Sequence, residues 1–262
     1  MNEYSNLIVA GSNSSIAKLV VPLLDLPVEN QFALSRSNNF PSWADNSHVK
    51  KLVVDYFGDD LFEAISHSSN EINYGATLIL NFTGNFGVVA SAPLFKKNDV
   101  LSTIQANIIP FLSTVELLRR CAPGSMLISF AGAGIGGNNL DDSSLGYLAA
   151  KASIVLLTES LNSQLSSSNL YLAAISPGPY PSEMQNLVAL SPDAGIPKSR
   201  KMRASQVEVN TERLAKLAEV LKVVAQNPRK SGGAVWSAVH DLDLLKNSEL
   251  QSDFGTLRRV IQ

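Results

Sequence analysis

Cysteine is almost absent, with Cys121 the single example in the chain. That excludes an intrachain disulfide framework, a cysteine-rich zinc site and a thiolate-held iron–sulfur cluster. Histidine is scarce as well, and His48, His67 and His240 share no metal-ligand spacing, so no metal site is expected. No excess of one charge exists: 21 Lys and Arg stand against 23 Asp and Glu, a formal net charge of -2. Such a balance gives no sign of a nucleic-acid partner. The opening residues, MNEYSNLIVAG, carry an early acid and only a short apolar run. They predict neither a signal peptide nor a membrane span, and the expectation is a soluble cytoplasmic protein with no membrane partner. Internal repeats and low-complexity linkers are absent too. What is present is apolar mass: 45% of the 262 residues are hydrophobic and 17% charged. A chain of that size and composition can bury the core of one large domain over 1–262.

Short apolar runs alternate with helical patterns throughout. Leu7–Ala10, Gln31–Leu34, Lys51–Val54, Ala76–Leu80, Ser125–Phe130 and Leu170–Ile175 read as strands, and Ala234–Val239 as a seventh. Helical spacing marks residues 16–24, 99–120, 145–166 and 211–226. Near-continuous apolar strands alternating with amphipathic helices predict a parallel sheet covered on both faces. Right-handed crossovers make it a single-domain, doubly wound α/β Rossmann fold of about seven strands. Residues 177–210, rich in Pro, Ser and basic groups, are too long for an ordinary connection. Segments of that kind are often functional lids.

Three stretches carry candidate chemistry. Ala10-Gly11-Ser12-Asn13-Ser14-Ser15-Ile16-Ala17 leaves the first strand and enters the first helix. Small residues there permit a tight turn with exposed backbone N–H groups, a phosphate cradle; an ordinary capped turn has the same composition. Ser35 and Arg36 follow the second strand. In a doubly wound sheet that place faces an adenosine ribose, where an acid accepts from the hydroxyls and an arginine pairs with a 2′-phosphate. A solvated surface arginine is the plainer reading. Tyr147 and Lys151 stand four apart at the start of a long helix, on one helix face. A phenol titrates near pH 10 in isolation, and a neighbouring ammonium lowers that value toward useful acid–base work. A packed aromatic beside a solvated lysine is the structural alternative.

Taken together, these motifs resemble those of the short-chain dehydrogenase/reductase family, over almost the whole chain. The resemblance implies a glycine motif starting at Gly11 and including Ser12, Asn13, Ser14, Ser15 and Ile16, and an adenine-contacting acid at Asp55. It places the Asn-Asn-Ala-Gly motif on Asn81, Phe82, Thr83 and Gly84. It assigns the helix asparagine to Asn107 and the Tyr-x-x-x-Lys pair to Tyr147 and Lys151. The nicotinamide-side segment falls on Pro177 and Gly178, with Ser182 in the usual Thr position. The implied reaction is hydride transfer between a nicotinamide dinucleotide and a carbonyl or alcohol. Tyr147 acts as acid/base, Lys151 holds the ribose and lowers the tyrosine pKa, and Asn107 anchors a relay water. Arg36, with no acid after the second strand, predicts NADP(H) over NAD(H).

Two departures stand out. Ser15 and Ala17 replace the motif's second and third glycines. Ala131 aligns with the carbonyl-polarising serine; Phe130 alternates away from its place, and Ser129, two residues earlier, is a weak substitute. The glycine-rich stretch from Gly132 through Gly134, Gly136 and Gly137 predicts a flexible loop that brings Ser143 or Ser144 inward as a substitute. A cofactor-binding protein without turnover is therefore an alternative to the enzyme. The segment 177–210, with Lys198, Arg200, Lys201 and Arg203, is the expected substrate cover. The C-terminal Gly232–Asp241 pattern resembles members linked to polysaccharide or sugar-nucleotide genes, implying a small polar substrate of the sugar-derivative kind; a secondary-metabolite ketone is the other candidate. Family likeness also implies a homodimer or homotetramer.

Overall fold

The computed structural model describes residues 4–68, 75–91, 94–132 and 144–246. Its strands are β1 (Asn6–Ala10), β2 (Asn30–Ser35), β3 (Val49–Val53), β4 (Thr77–Asn81), β5 (Met126–Phe130), β6 (Tyr171–Ser176) and β7 (Val235–Ser237). They form one parallel sheet in the order β3-β2-β1-β4-β5-β6-β7. The order reverses between β1 and β4, which is where open α/β sheets bind ligands beyond the strand carboxyl ends.

Strand alternation decides which helix covers which face. Leu7, Val9, Leu80, Ile128 and Ile175 face α1 (Ser15–Val20) and α7 (Thr211–Gln226), burying Val20, Leu217 and Leu221 with them. Ile8, Phe32, Ile79, Leu127 and Leu172 face the other way, onto Ile65, Phe111 and Ile154. Those three belong to α2 (Leu61–Ser68), α3 (Lys97–Arg119) and α4 (Leu145–Leu165). Because β1, β4 and β5 are buried along their whole length, their sequences are near-continuous apolar runs, with Asn6, Thr77, Asn81 and Ser129 as the polar members. By length and composition α3 would also suit a membrane span; here Phe111, Val115, Leu117 and Leu118 are buried in the protein core.

Two connections depart from the sequence pattern. Between β2 and β3 lies only a 3-10 turn, Ser42–Asp45, whose Ala44 packs on Ala33 and Val49. After β6, residues 177–210 fold into α5 (Glu183–Ala189) and α6 (Lys198–Ser205). Ser182 caps α5 by accepting from Gln185 N, which satisfies one of the orphan donors of the first turn. Short helices α8 (Pro228–Ser231) and α9 (Leu242–Lys246) flank β7.

Candidate active site

A cleft of about 700 Å3 opens at the switch point. The turn after β1 forms one end. Gly11 has φ +70°, and a Cβ there would come within 2.8 Å of Thr83 N, so only glycine suits both the backbone and the approach of the β4 exit. The turn is held from behind: Gly11 N donates to the Tyr56 hydroxyl at 2.9 Å, and Ser12 Oγ donates to Leu34 O at 3.0 Å. Burial pushes the Tyr56 phenol far up, so it stays a neutral hydrogen-bonding group. Asn13, Ser14, Ser15 and Ile16 line the cleft, facing Ser35 and Arg36. Asn13 Oδ1 is buried without a hydrogen-bond partner among the described residues. Ala17 is fully buried against the sheet, in keeping with its replacement of a packing glycine.

The other end is built from the exits of β4, β5 and β6. Tyr147 and Lys151 both line the cleft, one helical turn apart on α4. Lys151 Nζ lies 5.6 Å from the Tyr147 ring centre and donates to Phe130 O at 3.0 Å. Its side chain is buried, and desolvation pulls its pKa down to about 8, which leaves it mostly charged at neutral pH. The Phe86 ring sits 4.9 Å from that of Tyr147. A Cβ on Gly132 would meet Tyr147 Cε1 at 2.8 Å and its hydroxyl at 3.0 Å, so the β5 exit fits against the phenol with no atom to spare. Phe82 and Phe130 stack at 4.4 Å in the wall. Pro110, inside α3, also lines the cleft beside Ala106. Having no N–H, it cannot bond the carbonyl of Ala106 one turn earlier.

Several expected residues support the cleft from outside its lining. Asn107 is buried and clamps the loop after β4: its Nδ2 donates to Asn85 O at 2.7 Å and Thr103 O at 2.8 Å, and its Oδ1 accepts from Asn85 N at 3.2 Å. Asn81 accepts from Thr83 N at 2.9 Å and donates to Thr114 Oγ1 at 3.1 Å. Asp55 is exposed and accepts from Phe57 N in its own turn, and the neighbouring Tyr56 and Phe57 line the cleft. Gly178 follows the lining residue Pro177 with φ +82°. Thr83, Gly84 and Ser182 do line the cleft.

At the position expected to polarise a carbonyl, the structure offers no hydroxyl. Ala131 lines the cleft and offers only a methyl group. Ser129 is buried in β5, paired beside Asn81 and Ala174. Ser144 is buried and donates to Phe86 O at 2.6 Å, so its hydroxyl is committed to the loop after β4 and does not face the cleft. Ser143, Gly134, Gly136 and Gly137 lie outside the described residues. Residues that sequence reasoning missed include Tyr56, Lys18, Asn85 and Leu187, all in the lining. Their only signal was the cleft itself, which assembles them from distant parts of the chain.

No family model matches the sequence, and no curated protein matches it either. Solved structures match over most of the chain. A short chain dehydrogenase family protein from Francisella tularensis is 15% identical with a TM-score of 0.66, over 89% of this chain and 96% of that one. RhlG of Pseudomonas aeruginosa, in an active-site complex with NADP, is 19% identical with a TM-score of 0.67, over 88% of this chain and 93% of that one. A 4-hydroxyisoleucine dehydrogenase mutant complexed with NADH and succinate is 15% identical with a TM-score of 0.63, over 88% of this chain and 96% of that one. At these identities the likeness establishes the fold, which is that of the short-chain dehydrogenases.

Proposed function

We propose that the chain is an NADP(H)-preferring oxidoreductase acting on a carbonyl or alcohol. The observation that carries this is the meeting of Tyr147 and Lys151 at one end of a cleft whose other end presents Arg36. The residues suit a dinucleotide. The cleft falls within the roughly 300–1,000 Å3 usual for cofactor sites, its lining joins Arg36 to Tyr147 and Lys151, and β2 is followed by a cation rather than an acid. Arg36 would pair with a 2′-phosphate, Ser14 to Ile16 would flank the pyrophosphate, and Thr83, Gly84, Pro177 and Ser182 would lie toward the nicotinamide. When bound, that group supplies the hydride.

The protein's part is proton transfer and positioning. Tyr147 donates its hydroxyl proton to the substrate oxygen during reduction and takes it back in oxidation. Lys151, fixed by Phe130 O, places a positive charge beside the phenol and stabilises the phenolate left behind. Asn107 keeps the Asn85–Phe86 loop in place, and Phe86 in turn steadies the Tyr147 ring. Ala131 contributes no donor to the substrate oxygen, a loss that typically costs about 3–4 kcal/mol in the transition state. That methyl group also favours a second reading, a cofactor-binding protein without turnover. The substrate is read as a small polar carbonyl compound, of the sugar-derivative kind or a secondary-metabolite ketone. Asn85, Ser182 and Glu183 at the reacting end supply polar groups for it, and α5 and α6 form its cover.

Fluorescence titration with NADPH and NADH tests the cofactor reading. NADPH should bind more tightly, and Arg36→Ala should weaken it about ten-fold or more while leaving NADH nearly unchanged, as expected for one charge-assisted pair lost. Equal affinities in the wild type would overturn the preference. Turnover abolished by Tyr147→Phe would exclude the non-catalytic reading.

A further inference from the structure

A second cavity, of about 540 Å3, lies between residues 87–89 and α5. Its walls are mostly apolar: Val88 is 48% exposed, Leu187 49% and Leu190 81%, with Val89 and Pro192 beside them. Glu183, Asn186 and Ser191 are the polar members of the lining. Glu183 and Leu187 line both this groove and the cleft, so the two spaces adjoin at those residues.

The groove is built rather than left over. Beneath it Phe86, Val188 and Ala204 form a small apolar cluster onto which Val89, Met184 and the Tyr147 ring pack. Its far end is clasped across the two walls, because the Asp193 carboxylate accepts from Ser91 N on one side and from Gly195 N on the other. Those amide bonds hold the Asp193 carboxyl below the usual carboxylate range. Lys201 donates to Ser191 O at 2.6 Å and to Asp193 O at 2.8 Å, so one of the four basic groups of residues 198–203 serves the groove's rim. A groove fixed in advance takes an apolar ligand without a large ordering cost.

We infer that this groove takes an apolar arm of the substrate, an alkyl or acyl chain attached to the carbonyl compound that Tyr147 protonates. The inference rests on the function proposed above and, of its two substrate readings, favours the ketone over the sugar derivative: the reacting group is polar and sits in the cleft, while the remainder is hydrocarbon and runs past Leu187 toward Leu190. The residues shared with the cleft select this occupant. A substrate whose reacting group sits in the cleft must place its remainder beside it, and the groove adjoins the cleft at Glu183 and Leu187.

The test uses the full chain with NADPH and straight-chain methyl ketones from butanone to decanone. The expected result is kcat/KM rising about two- to four-fold per added methylene over several carbons, the upper figure being full burial of each group. Val88→Thr combined with Leu190→Gln should flatten that rise, and Leu190→Met should keep it. A flat series in the wild type, with turnover present, overturns the groove and leaves the enzyme reading intact. Absence of turnover at every length, with or without NADPH binding, overturns the enzyme reading. The groove is then judged by saturation-transfer NMR on decanone. Saturation of its chain that the double variant abolishes upholds an apolar site, and no saturation overturns it. A change of solution mass by light scattering in the double variant would also overturn it, by showing that a second copy of the chain covers the groove.

Discussion

The two ends of the cleft tolerate change very differently. After β1, only Gly11 remains of the glycines expected there, yet the turn keeps its course. It is pinned at a few points: Tyr56 accepts from Gly11 N, Ser12 donates to Leu34 O, and Ser14 caps α1 by accepting from Ala17 N at 3.2 Å. After β5, the side chains form a denser set. Lys151 reaches Phe130 O, Ser144 reaches Phe86 O, Asn107 clamps Asn85, and Gly132 leaves no room beside the phenol. A turn pinned at a few points can drift in sequence between them, whereas one packed with buried, mutually bonded side chains cannot lose a member without leaving a partner unsatisfied.

The contrast is open to experiment. Its largest expected effect is at Gly132. Gly132→Ala adds an atom that must push the Tyr147 ring aside, and a displacement of that order costs about 100-fold in kcat/KM. Rates near wild type would show that the reacting end is looser than its contacts imply. A middle-sized effect concerns Lys151. Its folded pKa of about 8 lies below the ordinary lysine value of about 10.4, so between those two pH values the unfolded chain binds the extra proton. Stability must therefore rise with pH across that window, and be independent of this group below it. Relative to Lys151→Met, urea unfolding should show the wild type gaining on the order of 2 kcal/mol between pH 7 and pH 9.5. No gain would mean that the ammonium is better solvated than its burial indicates. The smallest effect is expected at Ser15. Ser15→Gly should change NADPH affinity by less than about three-fold and cost roughly 0.5–1 kcal/mol of stability through helix entropy. A ten-fold change in affinity would erase the distinction between the two ends.

Much of this architecture was legible in the chain. The apolar run at 76–80 became β4 at Thr77–Asn81, and the pattern at 99–120 became α3 at Lys97–Arg119, because burial on both faces leaves an unmistakable composition. α6 was not legible. Lys198–Ser205 buries only Ala204, so it carries no apolar period, and its neighbours rather than its sequence decide its course. In the site, Tyr147, Lys151, Thr83 and Pro177 could be placed from short motifs. Tyr56 and Ser144 could not, since their partners Gly11 and Phe86 lie 45 and 58 residues away in the chain. Asp55 shows what a short motif leaves out: an acid at a strand end has its own turn amides within reach, and its Oδ1 accepts from Phe57 N.

One feature at the margin of the fold bears on what the molecule does in a crowded solution. The sheet ends on one side at β3, where Lys50 and Lys51 occupy adjacent positions and Lys51 is paired with Asp45 at 2.6 Å. On the other side it ends at β7, three residues long. Charged and abbreviated edges refuse the addition of a foreign strand. Neither border of the sheet therefore offers a template for fibrillar stacking, and runaway association by backbone pairing is closed off at both. Growth into larger bodies is left to the helical surfaces, whose contacts are made by side chains and can end with a closed set of copies.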